Sequence, residues 1–357
     1  MIEEKIKKEI FKEIKRYYKV AFKKDKFMPG KTYIPHAGRV FDEKELLLLA
    51  ESALDFWLTE GKFAKKFEKK FSRLMNVPFT VLTNSGSSAN LLALMALTSP
   101  KLGEKRLKPG DEVIAAAAAF PTTVNPIIQA GCLPVFVDID LATLNIDSLK
   151  IEKAITKKTK AIFLAHTLGN PFDLNKIIKI AKKNNLFVVE DACDALGSSY
   201  NGRLVGTFGD IGTFSFYPAH HITMGEGGAL VTKNPEFKKI IRSFRDWGRD
   251  CWCDTGCDNT CKNRFDWKLG KLPYGFDHKF IYSHLGYNLK LTEMQAAVGL
   301  AQLDKLPKFT KRRKKNFKLL YDGFKKYEKY FIFSKSLPES DPNWFGFPIT
   351  LKKGIGF

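Results

Sequence analysis

Between residues 79 and 190 the sequence alternates short apolar runs with amphipathic stretches, and few architectures accommodate that rhythm. Residues 80–82, Glu112–Ala116, Leu133–Val137, 161–164 and 186–189 read as strands. Between them, residues 88–97, 122–130, 147–155 and 174–183 carry apolar positions at helical spacing. Strands of this kind separated by helices predict an α/β fold, a largely parallel sheet covered on both faces.

The flanks are helical. Residues 2–20 form an amphipathic pattern, followed by a polar connection through Gly38. Residues 42–57 and 62–75 predict two helices, with Asp42 as an N-cap and Gly61 between them. Past Leu291 helices resume, and 311–327 lead into strands at Phe331–Phe333 and 345–351. The expected division is an N-terminal helix and arm over 1–40, a large domain over 41–300, and the start of a small α+β domain over 301–357. A hydrophobic share of 44% in 357 residues supports a substantial core. The longest uncharged run, 113–137, is broken by Pro121, Pro126, Gly131 and Pro134, so it does not read as a membrane span. The N-terminus mixes charges and lacks the apolar stretch of a signal peptide, so a soluble cytoplasmic enzyme is expected.

A net charge of +21 invites the reading of a basic nucleic-acid-binding protein, with zinc stabilising its cysteine-rich segment. The lysines, however, are scattered over nearly every helical segment, which favours a solvated basic surface with no nucleic-acid partner. Such a surface also suits an anionic nucleoside-diphosphate sugar.

Chemistry concentrates in residues 212–232, Gly-Thr-Phe-Ser-Phe-Tyr-Pro-Ala-His-His-Ile-Thr-Met-Gly-Glu-Gly-Gly-Ala-Leu-Val-Thr. Two strand-like runs, 213–217 and 229–232, flank a loop with two histidines and a glycine-rich turn that lets backbone approach a ligand. A second motif is Thr83-Asn-Ser-Gly-Ser-Ser-Ala-Asn90, small residues opening a helix, where free N–H groups and the helix dipole favour a phosphate. Alone it reads equally well as a serine-capped helix start. A third is Phe187-Val-Val-Glu-Asp-Ala-Cys193, an apolar strand ending in carboxylates; a buried Asp there is costly unless a cation meets it.

These segments resemble, residue for residue, the DegT/StrS family of nucleotide-sugar aminotransferases. The resemblance implies a fold-type I PLP-dependent transferase, with Ser87 and Ser88 as phosphate contacts, Ser215 as a further cofactor-binding residue and Phe120 stacking on the cofactor ring. It further implies Asp191 on the pyridine nitrogen, Glu190 pointing away in a structural role, and Asn288 reaching the phosphate of a neighbouring subunit in a homodimer. Three positions depart from the family pattern. His220 stands where the cofactor lysine belongs, Tyr217 lies in the same segment, and Asp194 replaces the His or Gln found near the cofactor's phenolic oxygen. Imidazole cannot hold the cofactor covalently, so the implied cofactor is non-covalent pyridoxamine 5′-phosphate, with the pyridoxal form possible, and His220 is the expected base.

Six cysteines occur, four of them within Cys251-Trp-Cys-Asp-Thr-Gly-Cys-Asp-Asn-Thr-Cys261. In a cytosolic chain that density favours metal or cluster ligation, although the spacing is neither a zinc ribbon nor a ferredoxin and zinc stays open. Cys132 reads as an inert small hydrophobe. Cys193, two residues from Asp191, is about 7 Å further along the strand. Cys193, then 57 residues, Cys251, one residue, Cys253, seven residues and Cys261 is similar to the [2Fe-2S] ligand set of the family branch that removes the C3 hydroxyl of CDP-4-keto-6-deoxyhexoses. Whether Cys257 replaces Cys193 in that set stays open. This branch implies electrons from a separate NADH-dependent iron-sulfur flavin reductase and a place in 3,6-dideoxyhexose synthesis for lipopolysaccharide. A cluster-free dehydratase of GDP-sugars in the same family also carries His for Lys and is the alternative. Family members continue past residue 357, so a fragment is expected.

Overall fold

The computed structural model describes residues 2–355 apart from 24, 25, 36, 37, 252 and 254. Its centre is a seven-stranded sheet of β1 (Phe79–Thr83), β2 (Glu112–Ala116), β3 (Leu133–Val137), β4 (Thr159–Ala165), β5 (Phe187–Asp191), β8 (Ile211–Ser215) and β9 (Gly228–Thr232). The strand order is β1-β9-β8-β5-β4-β2-β3, and β9 alone runs antiparallel to its neighbours. A hairpin of β6 (Ser199–Tyr200) and β7 (Arg203–Leu204) lies between β5 and β8 in the chain. The helices are α1 (Ile2–Ala21), α2 (Glu43–Asp55), α3 (Lys62–Met75), α4 (Gly86–Leu97), α5 (Pro121–Gln129), α6 (Ile151–Ala154), α7 (Leu174–Lys183), α8 (Pro235–Arg245), α9 (Glu293–Leu303) and α10 (Leu306–Phe324). Strands β10 (Phe331–Phe333) and β12 (Ile349–Leu351) pair with each other, and β11 (Ser340–Asp341) pairs with β6.

Alternating side chains of the strands feed two cores. Ile114, Ile162 and Val188 face Phe63, Phe67 and Phe71 of α3 together with α7 and α9. Val113, Ala161 and Val189 face α4 and α8. This is the two-sided burial that unbroken apolar runs require. Each fully buried Phe contributes on the order of 1.5–3 kcal/mol. The N-terminus of α3 has only Gly61 as its cap residue. Glu293 supplies the missing acceptor, taking the N–H groups of Gly61, Phe63 and Ala64 at 2.6, 2.7 and 2.9 Å.

Several boundaries differ from expectation. The helix expected over 147–155 shrinks to Ile151–Ala154 because Asp147 accepts from the Leu149 and Lys150 N–H groups in a tight turn. The strand expected over 213–217 ends at Ser215, since the chain turns there, the Tyr217 carbonyl taking the His220 N–H and the Phe216 carbonyl the Met224 N–H, each at 2.9 Å. Helix α4 starts at Gly86, two residues early, because Ser85 caps it. The last strand covers only 349–351 of the expected 345–351. Among the described residues no helix is long and apolar enough to cross a membrane.

Candidate active site

The C-terminal ends of β2, β5 and β8 converge on the N-terminus of α4, the crevice where parallel sheets present ligands. Asp191 closes β5 and is buried. Its Oδ2 accepts from Asn90 Nδ2 at 2.8 Å and Thr123 Oγ1 at 2.7 Å, and its Oδ1 from the Cys193 N–H at 3.1 Å. Thr213 braces Asn90 in turn, donating to its Oδ1 at 2.6 Å. Neutral donors thus aim the carboxylate, while among the described residues no cationic side chain pairs with it. A protonated ring nitrogen is the partner such a group suits. Glu190, on the other face, is consumed structurally by His166 Nε2 and by the N–H groups of Gly206, Phe208 and Gly209.

At the start of α4, Ser85 Oγ accepts the Ser88 N–H at 3.1 Å and donates to Ser88 Oγ at 3.0 Å. Ser87 is exposed on the first turn, which leaves that turn open to an anion. The cup depends on close approach. A Cβ on Gly86 would lie 2.4 Å from Ser215 Cβ, and one on Gly228 would lie 2.3 Å from the Ser85 carbonyl oxygen. Ser215 is buried there and its Oγ accepts the Tyr217 N–H at 3.3 Å. Phe120, 68% exposed, precedes the first turn of α5, from which Thr123 reaches Asp191. Its ring is therefore held at the mouth of the same crevice with a surface open to stacking.

His220 lies in the turn after β8, with Nδ1 3.3 Å from Asp194 Oδ1. The atom is buried and makes no aligned hydrogen bond, so the contact is electrostatic. Asp194, expected beside the cofactor's phenolic oxygen, thus also faces the imidazole. Tyr217 is half-exposed, and its carbonyl accepts the His220 N–H at 2.9 Å. The adjacent His221 points away: it is buried, and its Nε2–H donates to the Asn343 carbonyl at 2.7 Å. Burial, followed by the Arg313 charge, drives its pKa down to about 3, so it is a neutral structural group. Only one of the paired histidines is available for proton transfer.

Asn288 forms a β-bridge with Asp246, and its Oδ1 accepts from Lys290 Nζ at 3.0 Å. Next to it, the Leu289 carbonyl takes the Asn84 N–H at 2.9 Å, which fixes this segment beside the α4 cup of its own chain. Asp246 is itself gripped by the buried Arg245, which also binds Glu60 and the Leu82 carbonyl.

The cysteines divide into two places. Cys193 is half-buried at the floor of the crevice, beside Gly86 and Ser215. Burial, then the carboxylates of Asp191 and Asp194, push its thiol well above the ordinary range. Cys251, Cys253 and Cys261 are instead hydrogen-bonded neighbours in the loop after α8. Burial raises Cys251 and Cys261, whereas at Cys253 it is outweighed by hydrogen bonds from Thr260, Cys261 and Cys251, which bring that thiol to about 7. Cys257 is exposed. His278, which the spacing did not single out, directs Nδ1–H to the Asp250 carbonyl at 2.9 Å and brings Nε2 to 3.3 Å from Cys261 Sγ. Asp250, at the root of the loop, pairs with Lys101 just beyond the C-terminal end of α4, while Cys193 lies at the other end of that helix. Among the described residues no interaction joins Cys193 to the loop thiols, and no three Cys, His or acidic side chains are gathered as a metal site.

An anion cup, a buried unpaired carboxylate and an open aromatic ring around one crevice suit a pyridoxal or pyridoxamine phosphate. The chain belongs to the DegT/DnrJ/EryC1/StrS aminotransferase family, which it matches over residues 40–355. It is 58% identical over 351 residues to the lipopolysaccharide biosynthesis protein RfbH of Salmonella typhimurium, covering 98% of this chain and 80% of that protein. It is 54% identical over 331 residues to dTDP-4-dehydro-2,6-dideoxy-D-glucose 3-dehydratase of Saccharopolyspora spinosa, covering 93% and 71%. Among solved structures, E. coli GDP-4-keto-6-deoxy-D-mannose-3-dehydratase with bound hydrated PLP superimposes with a TM-score of 0.79 at 34% identity, covering 90% of this chain and 80% of that one. The fold is therefore that of the PLP-dependent aminotransferases, as the motifs imply.

Proposed function

We propose that this protein removes the C3 hydroxyl of a nucleotide-linked 4-keto-6-deoxyhexose, the CDP sugar being the substrate the resemblance implies. It uses pyridoxamine phosphate, and its electrons arrive through a [2Fe-2S] cluster from a separate NADH-dependent iron-sulfur flavin reductase. The observation that carries this reading is His220 paired with Asp194, at the position where the resemblance puts the family's lysine, beside a crevice in which Asn90 and Thr123 aim the Asp191 carboxylate. The similarity to named 3-dehydratases points the same way.

When bound, the cofactor supplies an amine that condenses with the sugar ketone and a ring that takes up electron density. Ser87, Ser88 and Ser215 hold its phosphate end, Phe120 covers the ring, and Asp191 keeps the ring nitrogen protonated. His220 takes a proton at Nε2 from the carbon bearing the amine. Asp194 steadies the resulting positive charge through Nδ1. Tyr217, beside His220 and half-exposed, would offer its hydroxyl to the substrate at the mouth of the site. Loss of the C3 hydroxyl as water and its replacement by hydrogen consume two electrons and two protons, and a [2Fe-2S] cluster, when bound, would supply those electrons one at a time. Cys193, Cys251, Cys253 and Cys261 would hold the cluster, a ligand set that the resemblance implies; the loop thiols are hydrogen-bonded neighbours, and Cys193 would have to approach them. A homodimer in the cytoplasm, with Asn288 reaching the neighbouring subunit's cofactor, completes the reading.

The cluster-free pyridoxal-phosphate dehydratase is the second reading, and the separation of Cys193 from the loop thiols is the observation on its side. Iron and acid-labile sulfide in protein purified without oxygen separate the two. Roughly two of each per chain support the cluster; a folded protein with neither supports the second reading.

A further inference from the structure

We propose that Arg313 is a positioning residue for the reaction, fixing from the C-terminal part of the chain the turn that carries His220. The inference rests on the reading of His220 as the base. Arg313 lies on α10 and is half-buried, an unusual setting for a guanidinium without an obvious carboxylate clamp. Its Nη2 donates to the His220 carbonyl at 3.4 Å, and its Nη1 to the carbonyls of Trp344 and Phe345 at 3.3 and 3.1 Å.

The same short segment seals the histidine turn from its other side. The Phe345 ring packs against both imidazoles, with centroids 5.3 Å from His220 and 6.3 Å from His221. Its backbone N–H is anchored on the Leu168 carbonyl at 2.8 Å, and Asn343 takes the His221 Nε2–H. Asp194 is within electrostatic reach of Arg313 as well as of His220. One guanidinium therefore ties three backbone carbonyls together: that of His220, that of Trp344, and that of Phe345, whose ring packs beside the imidazole. Planar, five-donor geometry makes this possible, and a lysine ammonium reproduces it only in part. Displacing a catalytic group by about 1 Å costs as much as 10²-fold in rate. A contact to the backbone of the base thus has kinetic weight without touching substrate.

The test compares Arg313→Met, Arg313→Lys and His220→Asn with the wild type. Readouts are steady-state deoxygenation with added pyridoxamine phosphate and a chemical reductant, and ¹⁵N-histidine NMR of the cofactor-free proteins. The His220 signals are identified by their loss in His220→Asn. Arg313→Met is expected to lower kcat roughly 10- to 100-fold, with KM for the nucleotide sugar changed less than about threefold. Its His220 ring signals shift while those of His166 and His284 stay in place, and Arg313→Lys recovers part of the rate. Wild-type kcat in Arg313→Met with an inactive His220→Asn overturns this inference alone. Displacement of all the histidine signals overturns it too, by reducing Arg313 to a fold-wide support. Near-full turnover by His220→Asn overturns the base assignment, and this inference with it.

Discussion

His220 Nδ1 stands 3.3 Å from Asp194 Oδ1, in a turn where the neighbouring His221 faces the opposite way into the protein. The pairing gives Asp194 a direct electrostatic contact with the imidazole proposed as the base. His220→Asn is expected to keep pyridoxamine phosphate affinity and to lose roughly 10²- to 10⁴-fold in deoxygenation. Asp194→Asn is expected to lose less, because the imidazole survives. Cofactor titration by absorbance and single-turnover kinetics check both, and near-full turnover by His220→Asn removes it from the mechanism.

Gly86→Ala places a methyl group against Ser215 at a distance no real Cβ tolerates, so the cup must open. The expected outcome is at least about tenfold weaker cofactor binding, equal to about 1.4 kcal/mol. Gly323→Ala is the control: no atom lies within 4 Å of its added methyl, and it sits in α10. That change is expected to leave cofactor binding alone and to raise stability by about 0.5–1 kcal/mol in urea denaturation.

Arg245 is fully buried and binds both carboxylate oxygens of Glu60, at 3.1 and 2.7 Å. Arg245→Met leaves the Glu60 charge buried without its partner and is expected to cost about 3–5 kcal/mol. The double variant with Glu60→Gln should recover part of that loss. Equal losses in the single and double variants, measured in urea, would contradict the pairing as the source of the cost.

Acid stability carries a signature of the two neutral buried histidines. Burial, followed by nearby cationic charge, lowers His221 to about 3 and His284 to about 4, both from an unfolded value near 6.5. The unfolded chain then binds more protons than the folded one below 6.5, so stability is complete above that pH and falls as pH drops toward the folded values. Each histidine is expected to contribute about 1.2 kcal/mol between pH 6 and 5. His221→Gln should remove its share of the slope, and an unchanged slope in urea titrations would sink this account of it.

The parts of the site borne by contiguous motifs were legible in the sequence. Asp191 follows from an apolar strand ending in a carboxylate, and Ser88 from small residues opening a helix. Their supports were not: Asn90, Thr123 and Thr213, which hold Asp191 and each other, are ordinary residue types brought together by strand pairing and helix packing. Arg313 and Phe345 come from the far end of the chain. The overrun of the strand beyond Ser215 has a local cause, since Phe216 and Tyr217 carry strong strand propensity while the backbone bonds of the turn decide against it. Cysteine spacing located the loop thiols, but His278, 17 residues beyond Cys261, belongs to no recognisable spacing.

The most direct measurement incubates the oxygen-free protein with pyridoxamine phosphate, CDP-4-keto-6-deoxy-D-glucose and a chemical reductant. Mass spectrometry and NMR then identify the sugar product. The account predicts a nucleotide sugar that has lost its C3 oxygen, keeps its C4 ketone and carries no amine. A product bearing an amino group at C4 with the C3 hydroxyl intact would mean that the protein transaminates without its lysine, and would contradict the account.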